Sequence, residues 1–211
     1  MLADYWPSIL ALTGIQMVGV ISPGPDFAVV VRNSLVYSRT TGLWTAVGIT
    51  LGTTVHLTCI LLGVGIFIEN TPFLFHVFKY AGTGYLIYVG CKGLLTKKHA
   101  LDYGETHHQK VISPFVALRT GFFIDVSNPK AILFFLSVLS VFLTPQEPAL
   151  ILFIYGVIIA LTTVIWFAIV ALCFSHKRLR LFFSEMHHWV ERATGLLLLL
   201  LGFRMLFVEL F

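Results

Sequence analysis

Two short segments place opposite charges directly after a proline: Gly24-Pro25-Asp26 and Asn128-Pro129-Lys130. Each offers a residue acceptable at a helix N-cap, then proline at the first helical position, then a charge in the first turn. Each therefore restarts a helix. The unbonded amides at such a start carry partial positive charge and attract an anion. Asp26 is favoured there, whereas Lys130 raises the positive potential further. Free N–H groups, one ammonium and one carboxylate together complement a zwitterion. The α-carboxylate of an amino acid could take the helix ends and Lys130, and its α-amine could take Asp26. The blander reading is an ion pair between Asp26 and Lys130 that fastens two parts of the chain together. A substrate that competes for the pair makes the two readings compatible.

Both segments interrupt apolar runs, one over 5–31 and the other over 115–143. Pro23 and Pro25 lack an N–H, so the carbonyls of Gly19 and Ile21 lose their helical partners, and Pro129 does the same to the carbonyl of Asp125. Lipid tolerates such backbone only where protein or a water-filled cavity satisfies it. A charge left unpaired at membrane depth costs at least about 2.5–3.5 kcal/mol, so Asp26 and Lys130 require partners. Two broken helices in a small hydrophobic chain point to a transport site.

The 211 residues are 57% hydrophobic and 11% charged, with a mean hydropathy of +0.90. That is too little polar surface to cover a soluble globule. The expected fold is an all-α integral membrane protein forming a single transmembrane domain over 1–211. Runs long enough to span lie at 5–31, 41–68, 73–95, 115–143, 149–174 and 189–211, which makes six transmembrane helices, the first and fourth broken. The first run lacks a basic leader and is too long for a cleaved signal segment. Cys59, Cys91 and Cys173 stand singly, and no disulfide is expected.

Lysine and arginine set the orientation. Arg32, Arg39, Lys92, Lys97, Lys98, Lys110, Arg119, Lys177, Arg178, Arg180 and Arg192 fall at alternate connections. Only Lys79 and Arg204 oppose them. Both termini are thus expected to face away from the cytoplasm. With the positive residues at helix ends, topology accounts for the net charge of +4 and nucleic acid is not an expected partner.

The halves look alike. Ala81-Gly82-Thr83-Gly84 leads to Gly90-Cys91-Lys92, and Ala193-Thr194-Gly195 leads to Gly202-Phe203-Arg204, 112 positions later. The proline breaks are offset by about 105 positions. Three spans is an odd number, so a duplicated half inserts upside down. This predicts an inverted 3+3 repeat, with one repeat over about 1–95, a polar cytoplasmic loop over 96–112 and the second repeat over 113–211.

Other polar residues inside the runs give weaker signals. Asp125, one turn before Pro129, is a second candidate for proton exchange, and His56 is a candidate relay near neutral pH. Thr50, Thr53 and Thr54 lie near His56, and Thr162, Thr163 and Trp166 occupy the matching part of the fifth run. Thr54 is taken here as a substrate-binding hydroxyl, although membrane threonines commonly bond their own i−4 carbonyl. Gly48-x-x-x-Gly52 permits close helix approach. His107-His108 and His187-His188 are adjacent pairs without nearby ligands at metal spacing, so no metal is expected. No cofactor motif is present, and without a Walker loop any pumping is driven by a gradient.

Ser22-Pro23-Gly24-Pro25-Asp26-Phe27, Gly48-Ile49-Thr50-Leu51-Gly52, Gly84-Tyr85-Leu86-Ile87-Tyr88-Val89-Gly90 and Asn128-Pro129-Lys130-Ala131 with Phe134-Phe135 resemble the LysE/RhtB family of amino-acid exporters. Within it the match is closest to the threonine and homoserine exporter branch. The resemblance implies export of small amino acids through a bacterial inner membrane in exchange for protons. It also places Pro23, Gly24, Pro25, Asp26, Asn128, Pro129 and Lys130 at the site. The expected partners are a small amino acid, protons and lipid, with a homodimer left open. Two alternatives are a related permease for a metal cation and a membrane-embedded enzyme or assembly factor using Asp26, Asp125 and His56.

Overall fold

Prolines set where the helices begin. Pro25, Pro72, Pro114 and Pro129 each open a helix, Pro7 sits in the first turn of another, and Pro148 caps a further one. At these positions the missing N–H costs no helical hydrogen bond and the fixed φ is already helical. A computed structural model describes residues 2–70, 72–96, 112–142, 148–174 and 177–207. A 3-10 turn, Leu2–Tyr5, leads into α1 (Trp6–Ile21) and α2 (Pro25–Val36). There follow α3 (Arg39–Asn70), α4 (Pro72–Leu94), α5 (Pro114–Val126), α6 (Pro129–Phe142), α7 (Ala149–Cys173) and α8 (Lys177–Phe207). Among the described residues the fold is entirely helical. The polar loop expected over 96–112, with His107 and His108, lies almost wholly outside them.

Both expected breaks are present. α1 and α2 meet at 58°, and α5 and α6 at 59°. By length and composition two helices, Arg39–Ile60 of α3 and all of α7, can cross a membrane among the described residues, and four spans result if each bent pair is one. α4 carries the third apolar run as far as Leu94 and α8 the sixth as far as Phe207, residues 208–211 lying outside those described, and the two helices pack along each other.

α7 shows why the solvent of this fold is lipid. Leu150, Phe153, Leu161, Ile165 and Ile169 on one face are exposed, while Ile151, Tyr155, Ile159 and Phe167 on the other are buried. A helix apolar on both faces belongs in a membrane. The buried residues form two cores. Leu12, Leu86, Phe134, Phe135, Tyr155 and Leu198 lie in one, gathered from α1, α4, α6, α7 and α8. Phe27, Val30, Val31, Ile49, Phe167 and Val170 lie in the other, from α2, α3 and α7.

Glycine sets the closest approach between α3 and α5. A Cβ on Gly48 would meet the carbonyl of Leu118, and one on Gly121 would meet the carbonyl of Thr45. The expected close contact at Gly48 and Gly52 is therefore made within the chain, and it brings Asp125 against Gly52.

Candidate functional site at the paired helix breaks

The two breaks meet. Asn128 Nδ2 donates to Asp26 Oδ2 at 2.7 Å, joining the first turn of α2 to the residue before α6. The other amide atom, Oδ1, accepts from the backbone N–H of Lys130 at 3.0 Å and caps α6. Asn128 is 3% exposed, so both bonds form away from solvent. Gly24, before α2, has no side chain to cap with, and its extended backbone is open to any residue (φ −169°). Space is the constraint there, because a Cβ would stand 3.3 Å from Lys130 Nζ.

Lys130 does not bond Asp26. Its ammonium donates to the carbonyl of Ser22 at 2.8 Å, the hydroxyl of Ser22 at 2.9 Å and the carbonyl of Pro23 at 3.2 Å. These oxygens lie at the C-terminal end of α1, where the helix presents partial negative charge. The result is a crossed strap: the anion of the first break is held by the second, and the cation of the second by the first. Asp26 Oδ1 is buried and has no hydrogen-bond partner among the described residues.

The carbonyl of Asp125, deprived of its helical partner by Pro129, accepts from the N–H of Asn128 at 2.9 Å and bonds His56 Nε2 at 2.9 Å. A carbonyl only accepts, so Nε2 carries the hydrogen. His56 thus mends the second break from α3. The same nitrogen lies 3.6 Å from Asp125 Oδ2, and Thr53 Oγ1 approaches the carboxylate at 3.4 and 3.5 Å. Asp125 is 2% exposed.

A narrow cavity lies between the two cores, with about 50 Å³ accessible to the centres of water-sized molecules. Gln16, Asp26, Thr53, Asp125, Lys130 and Thr163 bring polar groups to it, and Phe27, Phe134, Phe135 and Phe167 supply apolar wall. A second, roomier cavity, with about 340 Å³ accessible on the same measure, is lined by Pro23, Pro25, Pro129, Tyr85, Tyr88, Lys92 and Glu191 among others. Ser22, Gly24, Asn128 and Lys130 line both and form their common wall. The first has the mixture of apolar wall and sparse polar groups typical of small-molecule sites.

Of the residues expected from sequence, Gly24, Asp26, Asn128, Lys130 and Asp125 line the first cavity, and Pro23, Pro25 and Pro129 line the second. His56 is buried behind Asp125. Thr54 is exposed, returns its hydroxyl to the carbonyl of Thr50 at 2.9 Å, and lines neither cavity. Its neighbour Thr53 faces the site instead. Gln16 and Ser22 were not singled out by the sequence reading. Gln16 had a signal: a carboxamide inside an apolar run must find a partner.

A family model, LysE type translocator, matches residues 17–208. The chain is 30% identical over 186 residues to a threonine efflux protein of Salmonella typhi, covering 87% of this chain and 89% of that one. A threonine efflux protein of Escherichia coli (strain K12) is 28% identical over 190 residues, covering 89% and 92%. An uncharacterized membrane protein of Bacillus subtilis (strain 168), YrhP, is 26% identical over 208 residues, covering 93% and 97%. No solved structure matches the chain.

Proposed function

The chain belongs to the LysE type translocator family, a transporter and not an enzyme, and from that premise we propose that it exports small neutral amino acids of the threonine and homoserine type in exchange for protons. The observation that carries this reading is the junction of the breaks. Among the described residues, a half-buried carboxylate whose Oδ1 is buried and unpartnered and an ammonium hydrogen-bonded to neutral oxygens face one cavity. The amine of an amino acid takes Asp26 Oδ1. Its carboxylate draws Lys130 from Ser22 and Pro23 and uses the amides at the starts of α2 and α6.

We read 1–95 and 113–211 as inverted repeats of three spans in a bacterial inner membrane, both termini outside. The nearly equal bends support this. So does the pairing of α3 with α7 and of α4 with α8, the helices that such a repeat makes equivalent. Transport is rocking of one repeat against the other about the fixed junction. Facing inward, the site takes an amino acid; facing outward, a proton arriving on Asp26 weakens the amine contact and releases it. Asp125, beside His56 and Thr53, is a second place for a proton to rest. One charge crossing is worth about 2.3 kcal/mol per 100 mV, equivalent to about a 50-fold concentration ratio.

The test is Asp26→Asn in proteoliposomes. Labelled threonine exchange should fall sharply and the remainder should lose its dependence on a proton gradient. Export at the wild-type rate with proton dependence intact would refute the role given to Asp26.

A further inference from the structure

Along α1 from the break, Gln16 and Thr163 of α7 form a polar pair inside the first cavity. Gln16 Nε2 donates to Thr163 Oγ1 at 3.2 Å, and each residue is 2% exposed. Gln16 Oε1 is buried with no partner among the described residues. In either amide orientation, one polar atom of Gln16 bonds Thr163 and the other is left to the cavity.

Thr163 also behaves unlike most threonines in these helices. Thr13, Thr45, Thr50, Thr54 and Thr162 each return the hydroxyl to the carbonyl four residues earlier. Thr163 accepts from Gln16, and among the described residues no acceptor takes its own proton. A pair with one acceptor and one donor to spare matches an alcohol, which donates once and accepts. It does not match a methyl group. Phe134, Phe135 and Phe167 wall the same cavity and leave water little access to these atoms.

The position suits a side chain. Gln16 lies about 9 Å along the helix axis from Ser22, where the α-groups of a substrate would be held. Gln16 and Thr163 line the same cavity as Asp26 and Lys130, so a substrate held by the two charges has the pair in the wall around its side chain.

We propose that Gln16 and Thr163 read the side chain of the exported amino acid by hydrogen bonding its hydroxyl, so that hydroxylated amino acids are favoured over apolar ones of the same size. This rests on the amino-acid export reading above. The closing experiment separates the two. The full-length protein is reconstituted in liposomes, and counterflow of labelled threonine is compared with that of valine, in which a methyl group replaces the hydroxyl.

The wild type should favour threonine. Gln16→Leu and Thr163→Val should each lower the threonine-to-valine ratio by about tenfold, the scale of one buried hydrogen bond, chiefly through the KM for threonine, with valine counterflow retained. Thr163→Ser should keep the ratio. Retained valine counterflow shows that a variant is folded. Equal loss of both substrates, or an unchanged ratio in both variants, overturns the proposal. A wild type that carries both amino acids without preference overturns it and leaves export standing, and a wild type that carries neither overturns both.

Discussion

Asn128 serves both breaks with one side chain, and its substitutions separate the two services. Asn128→Ala removes the cap on α6, worth about 1 kcal/mol, and the bond to a charged partner, worth about 1.5–3 kcal/mol. A loss near 3 kcal/mol follows, and at about 2–4 °C per kcal/mol for a chain of this length the midpoint of thermal unfolding should fall by about 6–12 °C. Asn128→Ser keeps an oxygen for the cap and loses the bridge, so its loss should be smaller by roughly the value of the cap. Asn128→Asp also keeps the cap but sets a carboxylate where the 2.7 Å bond to Asp26 had been. Two carboxylates at that separation repel strongly when both are charged. This variant should be at least as impaired as alanine above neutral pH and should recover as pH falls, when one proton between the carboxyls restores a bond. Thermal unfolding of the purified chain and threonine counterflow in proteoliposomes, both at about pH 5 and 8, read the series. Alanine and serine variants that match the wild type would refute the bridging role, as would an aspartate variant indifferent to pH.

Gly48→Val and Gly121→Val should each cost about 1–3 kcal/mol, because both place a side chain against the backbone of the opposite helix, whereas Gly14→Ala and Gly156→Ala meet nothing within 4 Å and should be neutral or slightly stabilising; thermal unfolding checks all four. Lys130→Met leaves the carbonyls of Ser22 and Pro23 without their donor and should lower threonine counterflow by at least about 100-fold, while valine in place of threonine should fare no better, since both lose the same carboxylate contact. His56→Gln keeps a donor for the carbonyl of Asp125 and should stay close to the wild type in thermal unfolding, whereas His56→Leu removes the donor and should cost about 1–3 kcal/mol; equal midpoints for the two variants would refute the mending role of His56.

The breaks were legible because proline states its consequence locally: a missing N–H, a restricted neighbour and a helix start. The charges beside them were legible because lipid makes any charge conspicuous. What could not be read was which face of a helix turns inward. In water an amphipathic pattern would separate Thr53 from Thr54, but lipid is as apolar as the core, and α3 carries apolar residues on both sides. Thr53 therefore faces Asp125 while Thr54 faces outward, with nothing in their identity to tell them apart. Nor does sequence show which donor mends a carbonyl that proline has orphaned. The blander expectation was a direct pair between Asp26 and Lys130. In the fold, Lys130 serves the end of α1 and Asp26 takes Asn128. That exchange of partners matters for the site. An ammonium locked to a carboxylate could be drawn off by a substrate only by separating opposite charges in a poorly polarisable interior, where their attraction is strongest. An ammonium held by two carbonyls and a hydroxyl has its polar needs met at rest, yet a carboxylate outcompetes those neutral oxygens, since charge-assisted hydrogen bonds are about twice as strong. Neutral partners for the cation, and one unpartnered oxygen on the anion, leave the junction stable when unoccupied and still receptive to a zwitterion.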